Sequence, residues 1–518
     1  MQRFRAPGQE VDPMRFLSLL FAACLLLPFC TARAEEDYTV SYEGIKAGVV
    51  NARVGVHDPS IIAADGSYYI FGSHMASAKS DNLRTWTVVA SGYYSGNRVW
   101  GDLFAEGSHV FDYAGGPASV VPTDDGTYHV WAPDVIYNET MGKYMMYYCT
   151  SSTWNASNLC FGISDFVEGP YVWQGCLICS GFTKKTVGET DVAQYADENR
   201  IKNNYLTLAG TYNYHQYPNA IDPTVFFDAD RRMWMVYGSW SGGIFLLEID
   251  PATGYVIHPE ADDEAGVDPY FGKRLLGGGH QSIEGPYILY DEESEWYYLF
   301  VSYGSLTAHG GYQIRVFRSR TPDGEYEDMN GQRPAGIGHW RFGLKLSGNY
   351  MLPSVRTAYM ATGHNSAMID ADSKRYVCYH SRFNNGSEGH LPIVKQYALN
   401  AEGWPCLLPY ATRKETLPDS VDPSSVPGRY YVINQGIEIN DHIAEPLIVY
   451  LREDGTAGGK NVSGTWSIDD GTAFLRLSLD GTEYSGILCR MQDDGGTEVT
   501  VFSVVGANES VWGVRYDE

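Results

Sequence analysis

Three observations predict an all-β chain: a five-bladed β-propeller followed by a small C-terminal β-barrel or sandwich. A hairpin-like phrase recurs five times along the sequence. Long amphipathic helical periodicity is missing. Aromatic residues make up 14% of the 518-residue chain, 39 of them tyrosine, a side chain suited to twisted strands and to stacking on sugar rings.

The phrase is clearest at Asp222-Pro223-Thr224-Val225-Phe226-Phe227. An acidic turn, Asp228 to Arg232, leads into Met233-Trp234-Met235-Val236-Tyr237-Gly238-Ser239. Two apolar runs around a short polar turn read as a β-hairpin. Related phrases start at Asp58, Asp134, Glu284 and His364, so the five starts lie 76, 88, 62 and 80 residues apart. Similar hairpins at uneven spacing suit propeller blades joined by loops of different length. Each opening residue is expected at the inner end of its blade. Asp58, Asp134, Asp222, Glu284 and His364 then converge on one axis, where carboxylates resist being crowded and buried together.

The first 34 residues read as an export leader. Arg15 precedes an apolar run from Phe16 to Phe29, and Ala32-Arg33-Ala34 fits a cleavage site. Met14 is an alternative start. The apolar run is too short for an ordinary membrane span. Residues 35–56 form a lead-in, 35–417 the propeller, 418–427 a Pro/Ser/Asp linker, and 428–518 a second β domain with strands around Trp466 and Trp512. The segments 92–122, 181–217 and 262–282 read as loops over the blades. The Gly-rich stretch Ser239–Phe245 reads as part of a cleft wall.

The net charge of −26 becomes −28 once the leader's four arginines and two acids are removed. No basic stripe interrupts it. Nucleic acid, anionic membrane and polyanionic glycans are therefore poor partners, whereas a neutral polysaccharide is compatible. A monomer in the periplasm, at the cell surface or outside the cell is expected. Seven cysteines remain after leader removal. Cys149 and Cys160 are candidate disulfide partners within one blade. The single CxxC at Cys176–Cys179 is expected to be structural.

Bonds between neutral sugars are commonly cut by two carboxyl groups, one protonated and one ionised. A third carboxylate nearby separates their pKa values. Asp58, Asp222 and Glu284 offer this trio, and the longer reach of Glu284 makes it the candidate acid.

Five motifs occur in order: His57-Asp58-Pro59-Ser60, Trp131-Ala132-Pro133-Asp134, Asn219-Ala220-Ile221-Asp222-Pro223, Ile283-Glu284-Gly285-Pro286-Tyr287 and Gly363-His364-Asn365-Ser366. Together they resemble glycoside hydrolase family 43, most of all its endo-α-1,5-L-arabinanases of the longer type with a C-terminal β domain. The resemblance implies an inverting mechanism, with Asp58 as general base, Glu284 as general acid and Asp222 tuning the acid's pKa. It implies that His364 anchors a calcium ion, largely water-bound. His57, Trp131, Asp134, Asn219, Ser239 and Trp240 are candidate sugar contacts. Exo-acting arabinanase, α-L-arabinofuranosidase or β-xylosidase activity on the same scaffold is the alternative, as is a non-catalytic glycan-binding propeller.

Overall fold

The computed structural model describes residues 36–101, 103–105, 107–153, 155–336 and 341–516. The leader expected at 1–34 lies outside the described residues. Among the described residues, five antiparallel sheets precede one closed barrel. The propeller and the barrel are both as expected, and of the two forms left open for the tail the barrel is the one adopted.

The innermost strands are β1 (Ser60–Ala64), β5 (Val130–Asn138), β9 (Thr224–Phe227), β15 (Ile283–Asp291) and β19 (Tyr359–Ile369). Each lies against the next, and β19 returns to β1, so the ring of blades is closed. Hydrogen bonds tie the inner strands together around the axis. Ser60 Oγ donates to Asp134 Oδ1, Val225 N–H to Asp134 Oδ2 at 2.8 Å, and Thr224 Oγ1 to the Pro286 carbonyl at 2.9 Å. His364 N–H donates to Ser302 Oγ at 2.7 Å, and Ser366 Oγ closes the ring on the Pro59 carbonyl at 2.6 Å. These bonds give the named buried groups partners, as buried polar groups require.

The backbone corrects the repeat alignment. One residue per blade has left-handed φ at the axis: Asp58 at 52°, Ala132 at 42°, Asp222 at 56°, Gly285 at 56° and His364 at 48°. In blades one to four a proline follows it. The equivalent slot is therefore Asp58, Ala132, Asp222, Gly285 and His364. Glu284 stands one residue before the slot, alongside His57 and Trp131. Asp134 stands two residues after it, alongside Ser60 and Ser366. In blades two, four and five the ladder slips at this point, between Trp131 and Asp134, Glu284 and Tyr287, and Gly363 and Ser366. Such a bulge re-aims side chains at the end of a strand.

The 262–282 segment is not only loop. It contributes Val267–Asp268 and Gly272–Leu276, which extend the third blade to six strands. The linker contains a 3-10 turn, Pro423–Ser425, and Val426 is buried.

Cys149 and Cys160 lie on the paired strands β6 (Lys143–Ser151) and β7 (Ser157–Ser164), but they are not opposite one another. Cys149 faces Leu159, and Cys160 faces Tyr148. Side chains alternate across a strand, so the two thiols enter different clusters, Cys149 beside Phe161 and Leu159, Cys160 beside Tyr148 and Met146. The pairing expected from sequence is excluded on this geometry.

The barrel has eight strands, from β23 (Gly428–Asn434) to β30 (Glu509–Arg515), closed by pairing of the first with the last. Closure removes both sheet edges. One apolar cluster runs through the seam between barrel and propeller, joining Tyr350, Cys406 and Leu408 to Ile487, Val501 and Trp512. Three cations are buried in the same region. Arg315 donates to the Ile437, Phe342 and Gly343 carbonyls, and Lys345 to the Glu438 carbonyl at 3.1 Å. Lys395 Nζ has no hydrogen-bond partner among the described residues and rests over the rings of Tyr350 and Trp512, at 4.3 and 4.2 Å.

Candidate active site

The axial mouth of the propeller opens into a cavity of about 900 Å³. Nine of the ten site residues expected from sequence line it: His57, Asp58, Trp131, Asn219, Asp222, Ser239, Trp240, Glu284 and His364. Asp134 is the exception. Its place after the slot turns it into the inter-blade ring, where burial pushes its carboxyl up to about 6 against the hydrogen bonds from Ser60 and Val225.

Asp58 is held by imidazoles. His57 Nδ1 lies 2.7 Å from Oδ2, His364 Nδ1 3.1 Å from Oδ1 and His380 Nδ1 3.6 Å from Oδ1. Ser73 Oγ donates to Oδ2. Burial alone would raise this carboxyl, but His364 and His57 outweigh it and hold it well below the usual carboxylate range. The Asp58 N–H donates to His380 Nδ1 at 3.4 Å, and burial keeps His380 neutral. The His57 and His380 rings stack with centroids 4.0 Å apart, which fixes both behind the carboxylate.

Asp222 lies in the opposite environment. It is 6% exposed, and one backbone donor, Gly285 N–H at 3.1 Å, reaches its Oδ2. Burial first, then the charges of Glu284 and Asp58, push its carboxyl well above the usual range. Like charges that face one another out of water favour the protonated form, and here Asp222 is the carboxyl that carries the effect.

Glu284 is fixed from three sides. Tyr312 Oη donates to Oε1 at 2.8 Å, Ser239 Oγ to Oε2 at 3.0 Å and Trp240 Nε1 to Oε2 at 2.8 Å. The tyrosine and serine hydroxyls can reverse and accept a hydrogen bond from the protonated acid, whereas the indole can only donate. Trp240 is itself held in left-handed backbone, φ 56°, by its N–H on the Ile283 carbonyl at 2.8 Å. The Gly-rich stretch around it is thus cleft wall, as expected. Asn219 Oδ1 accepts from Ser157 Oγ at 2.9 Å. Trp131 stacks on His129 with centroids 5.2 Å apart, leaving a flat aromatic surface at the rim.

Sequence reasoning missed Ser73, Tyr312 and His380. Ser73 had a signal, because the second strand of its blade ends Phe-Gly-Ser, just as Tyr-Gly-Ser ends at Ser239. Tyr312 and His380 had none, since Tyr312 stands just before one strand and His380 lies within another whose aromatic residues otherwise read as packing.

His57 Nδ1, one Asp58 oxygen and His380 Nδ1 lie within 4.8 Å of one another, a spacing able to hold a metal. The donors are mostly imidazole nitrogen. Calcium takes about six to eight oxygens, so this cluster is not itself a calcium cage; His364, the residue expected to anchor a largely water-bound calcium, places its Nδ1 3.1 Å from Asp58 Oδ1, and the chemistry is derived without an ion.

A closed five-bladed ring with three unequal carboxyls at its mouth defines a glycosidase of the propeller type. The family model for glycosyl hydrolases family 43 matches residues 49–405, and the model for its C-terminal lipocalin-like domain matches 408–513. The chain belongs to glycosyl hydrolase family 43. It is 34% identical to the extracellular endo-alpha-(1->5)-L-arabinanase 2 of Bacillus subtilis, over 96% of this chain and 99% of that one. It is equally 34% identical to the extracellular endo-alpha-(1->5)-L-arabinanase of Thermotoga petrophila, over 98% and 100%. Among solved structures, the family 43 YxiA protein from Bacillus licheniformis aligns with TM-score 0.77 and 34% identity, covering 92% of this chain and all of that one. The chain is therefore a glycoside hydrolase.

Proposed function

We propose that this chain is an exported, inverting endo-α-1,5-L-arabinanase that cuts internal bonds of linear arabinan. The observation that carries the chemistry is the contrast between carboxyls at one mouth. Asp58 is held well below the usual carboxylate range by His364 and His57, while burial and the charges of Glu284 and Asp58 push Asp222 well above it. Two carboxyl environments pushed apart are what acid and base roles require. Asp58 takes a proton from water as that water attacks the anomeric carbon. Glu284 gives its proton to the departing glycosidic oxygen. Asp222, which faces the Glu284 charge, tunes and orients that acid. Trp131 and Trp240 offer ring faces to the furanoses, and Asn219 and Ser239 offer hydrogen bonds. The substrate is supported by the names of the two relatives that match nearly end to end, and export by the word extracellular in both.

The test is product sizing on debranched linear arabinan. A ladder of short oligosaccharides from the wild type, abolished in Glu284→Gln, is expected. Arabinose or one fixed short product from the first time point would move the reading to exo cleavage. Folded protein that leaves arabinan, arabinoxylan and aryl arabinofuranosides intact would overturn it.

A further inference from the structure

Blade two contains four of the seven cysteines among the described residues: Cys149, Cys160, Cys176 and Cys179. The reaction uses none of them. Cys160 on β7 stands directly opposite Cys176 on β8 (Val172–Cys179), the outermost strand of the blade. Their sulfurs are 3.3 Å apart. Directly opposed residues of an antiparallel ladder have Cα atoms about 4.5–5.5 Å apart, inside the ~4.4–6.8 Å span a disulfide accepts. The ladder slips just before this pair, between Leu159 and Cys160, and closing the sulfurs to about 2.05 Å is a movement of little more than about 1 Å from their present separation. The Asn158 amide nitrogen donates to both sulfurs, at 2.9 and 3.2 Å, and holds them side by side. Cys160 is buried, but Cys176 is partly exposed and open to a reagent.

The other two thiols are excluded by position. Cys149 lies on the far face of the sheet from Cys160. Cys179 is opposite Asn158, and its N–H donates to the Tyr270 hydroxyl at 2.8 Å, in the cluster that holds Cys149.

We propose that Cys160 and Cys176 form a disulfide that fastens the outer strand of blade two once the chain meets an oxidising compartment. The oxidant is a dithiol carrier in its disulfide form. The Cys176 thiolate attacks one carrier sulfur, breaking the carrier's S–S bond and forming a mixed disulfide. The Cys160 thiolate then attacks the Cys176 sulfur and expels the second carrier thiolate. The pair gives up two protons and two electrons, and the carrier leaves as the dithiol. An outer strand has one unpaired edge and is the part of a blade most open to fraying. The bond closes a short loop around that edge. Neither sulfur lines the catalytic cavity, so the bond acts on endurance outside the cell and not on the reaction.

The test uses the full chain, purified reduced and then incubated with oxidised dithiothreitol. Remaining thiols are blocked with iodoacetamide under denaturing conditions, and the unreduced digest is analysed by mass spectrometry. The expected result is one linked peptide pair, Cys160 to Cys176, two hydrogens lighter than the free peptides. The melting midpoint should rise by about 3–6 °C over the reduced chain, and the rise should vanish in Cys176→Ala. Recovery of both residues as alkylated thiols, or linkage of either to Cys149 or Cys179, would overturn the proposal. If Cys176→Ala does not fold, the peptide map of the wild type decides alone. Arabinan hydrolysis should stay within about twofold between the two redox forms. Failure of the arabinanase reading would appear as no hydrolysis in either form and would leave the peptide map unaffected.

Discussion

The mouth of the propeller and the seam beneath the barrel both bury charge, but they treat it differently. At the mouth, Asp58, Asp222 and Glu284 face a cavity, and the surroundings push Asp58 down and Asp222 up. At the seam, Lys395 is sealed beneath Tyr350 and Trp512 with no counter-charge in hydrogen-bond contact. Burial of a charge is therefore no sign of function. What marks the mouth is that neighbouring groups are driven in opposite directions beside open space. The seam charge is driven down chiefly by desolvation, with Asp494 pulling weakly the other way, and it does not line the cavity at the mouth.

The largest effects should come from separating the two roles at the mouth. Glu284→Gln and Asp58→Asn should each lower kcat on arabinan by about 10²–10⁴-fold. On an aryl arabinofuranoside with an acidic leaving group, Glu284→Gln should recover much of its rate, because the departing phenolate needs no proton. Asp58→Asn should not recover. Equal losses on both substrates would show that the roles are not divided as assigned.

Asp222→Asn comes next. Asp222 is the carboxyl that burial and the charges of Glu284 and Asp58 push well above the usual range, and the variant loses that raised titration. The alkaline limb of the kcat/KM profile should then move to lower pH, by on the order of one unit. A profile with unchanged limbs and only a lower plateau would give Asp222 a purely structural part.

At the seam, Lys395→Met should stabilise the fold by about 1–4 kcal/mol, since an apolar side chain of similar length replaces a group that burial disfavours when charged. Burial lowers the pKa of Lys395 well below that of an exposed lysine. Its unfavourable contribution is thus absent above the unfolded pKa and grows as pH falls through the range between the two. Chemical denaturation from pH 10 to pH 7 should show a wild-type disadvantage that widens toward pH 7 and is missing in the variant. A destabilised variant would mean that the cation–ring contacts outweigh desolvation.

The smallest effect is expected at Asp134. Its folded pKa is raised to about 6. A raised carboxyl contributes stability below its unfolded value and loses it as pH rises through 6. Asp134→Asn can keep both bonds, its oxygen accepting from Val225 N–H and its amide donating to Ser60. Stability measured from pH 4 to 6 should therefore lose a slope of at most about 1.4 kcal/mol per pH unit, with arabinan activity unchanged. Loss of activity would return Asp134 to the sugar site.

Five repeated phrases were enough to specify five blades, because strand alternation and turn chemistry are local properties. A second β domain was legible for the same reason, from short alternating runs between Gly-rich turns. The trio of carboxyls was legible because Asp-Pro and Glu-Gly-Pro stand at strand openings in the phrase. What the phrase could not reveal was register to the single residue. Asp134 and Glu284 look equivalent to Asp58 in sequence. The left-handed residue at Ala132 and at Gly285 displaces them, one into the inter-blade ring and the other into the cavity. The same limit misassigned Cys149 to Cys160, whose faces depend on which residues of two strands stand opposite. The sequence by itself determined the strands, their grouping into blades and the residue types available for chemistry. Only the closed ring decided which side chains meet, because a cavity is formed between strands far apart in the chain and a shift of one residue reverses the face each side chain occupies.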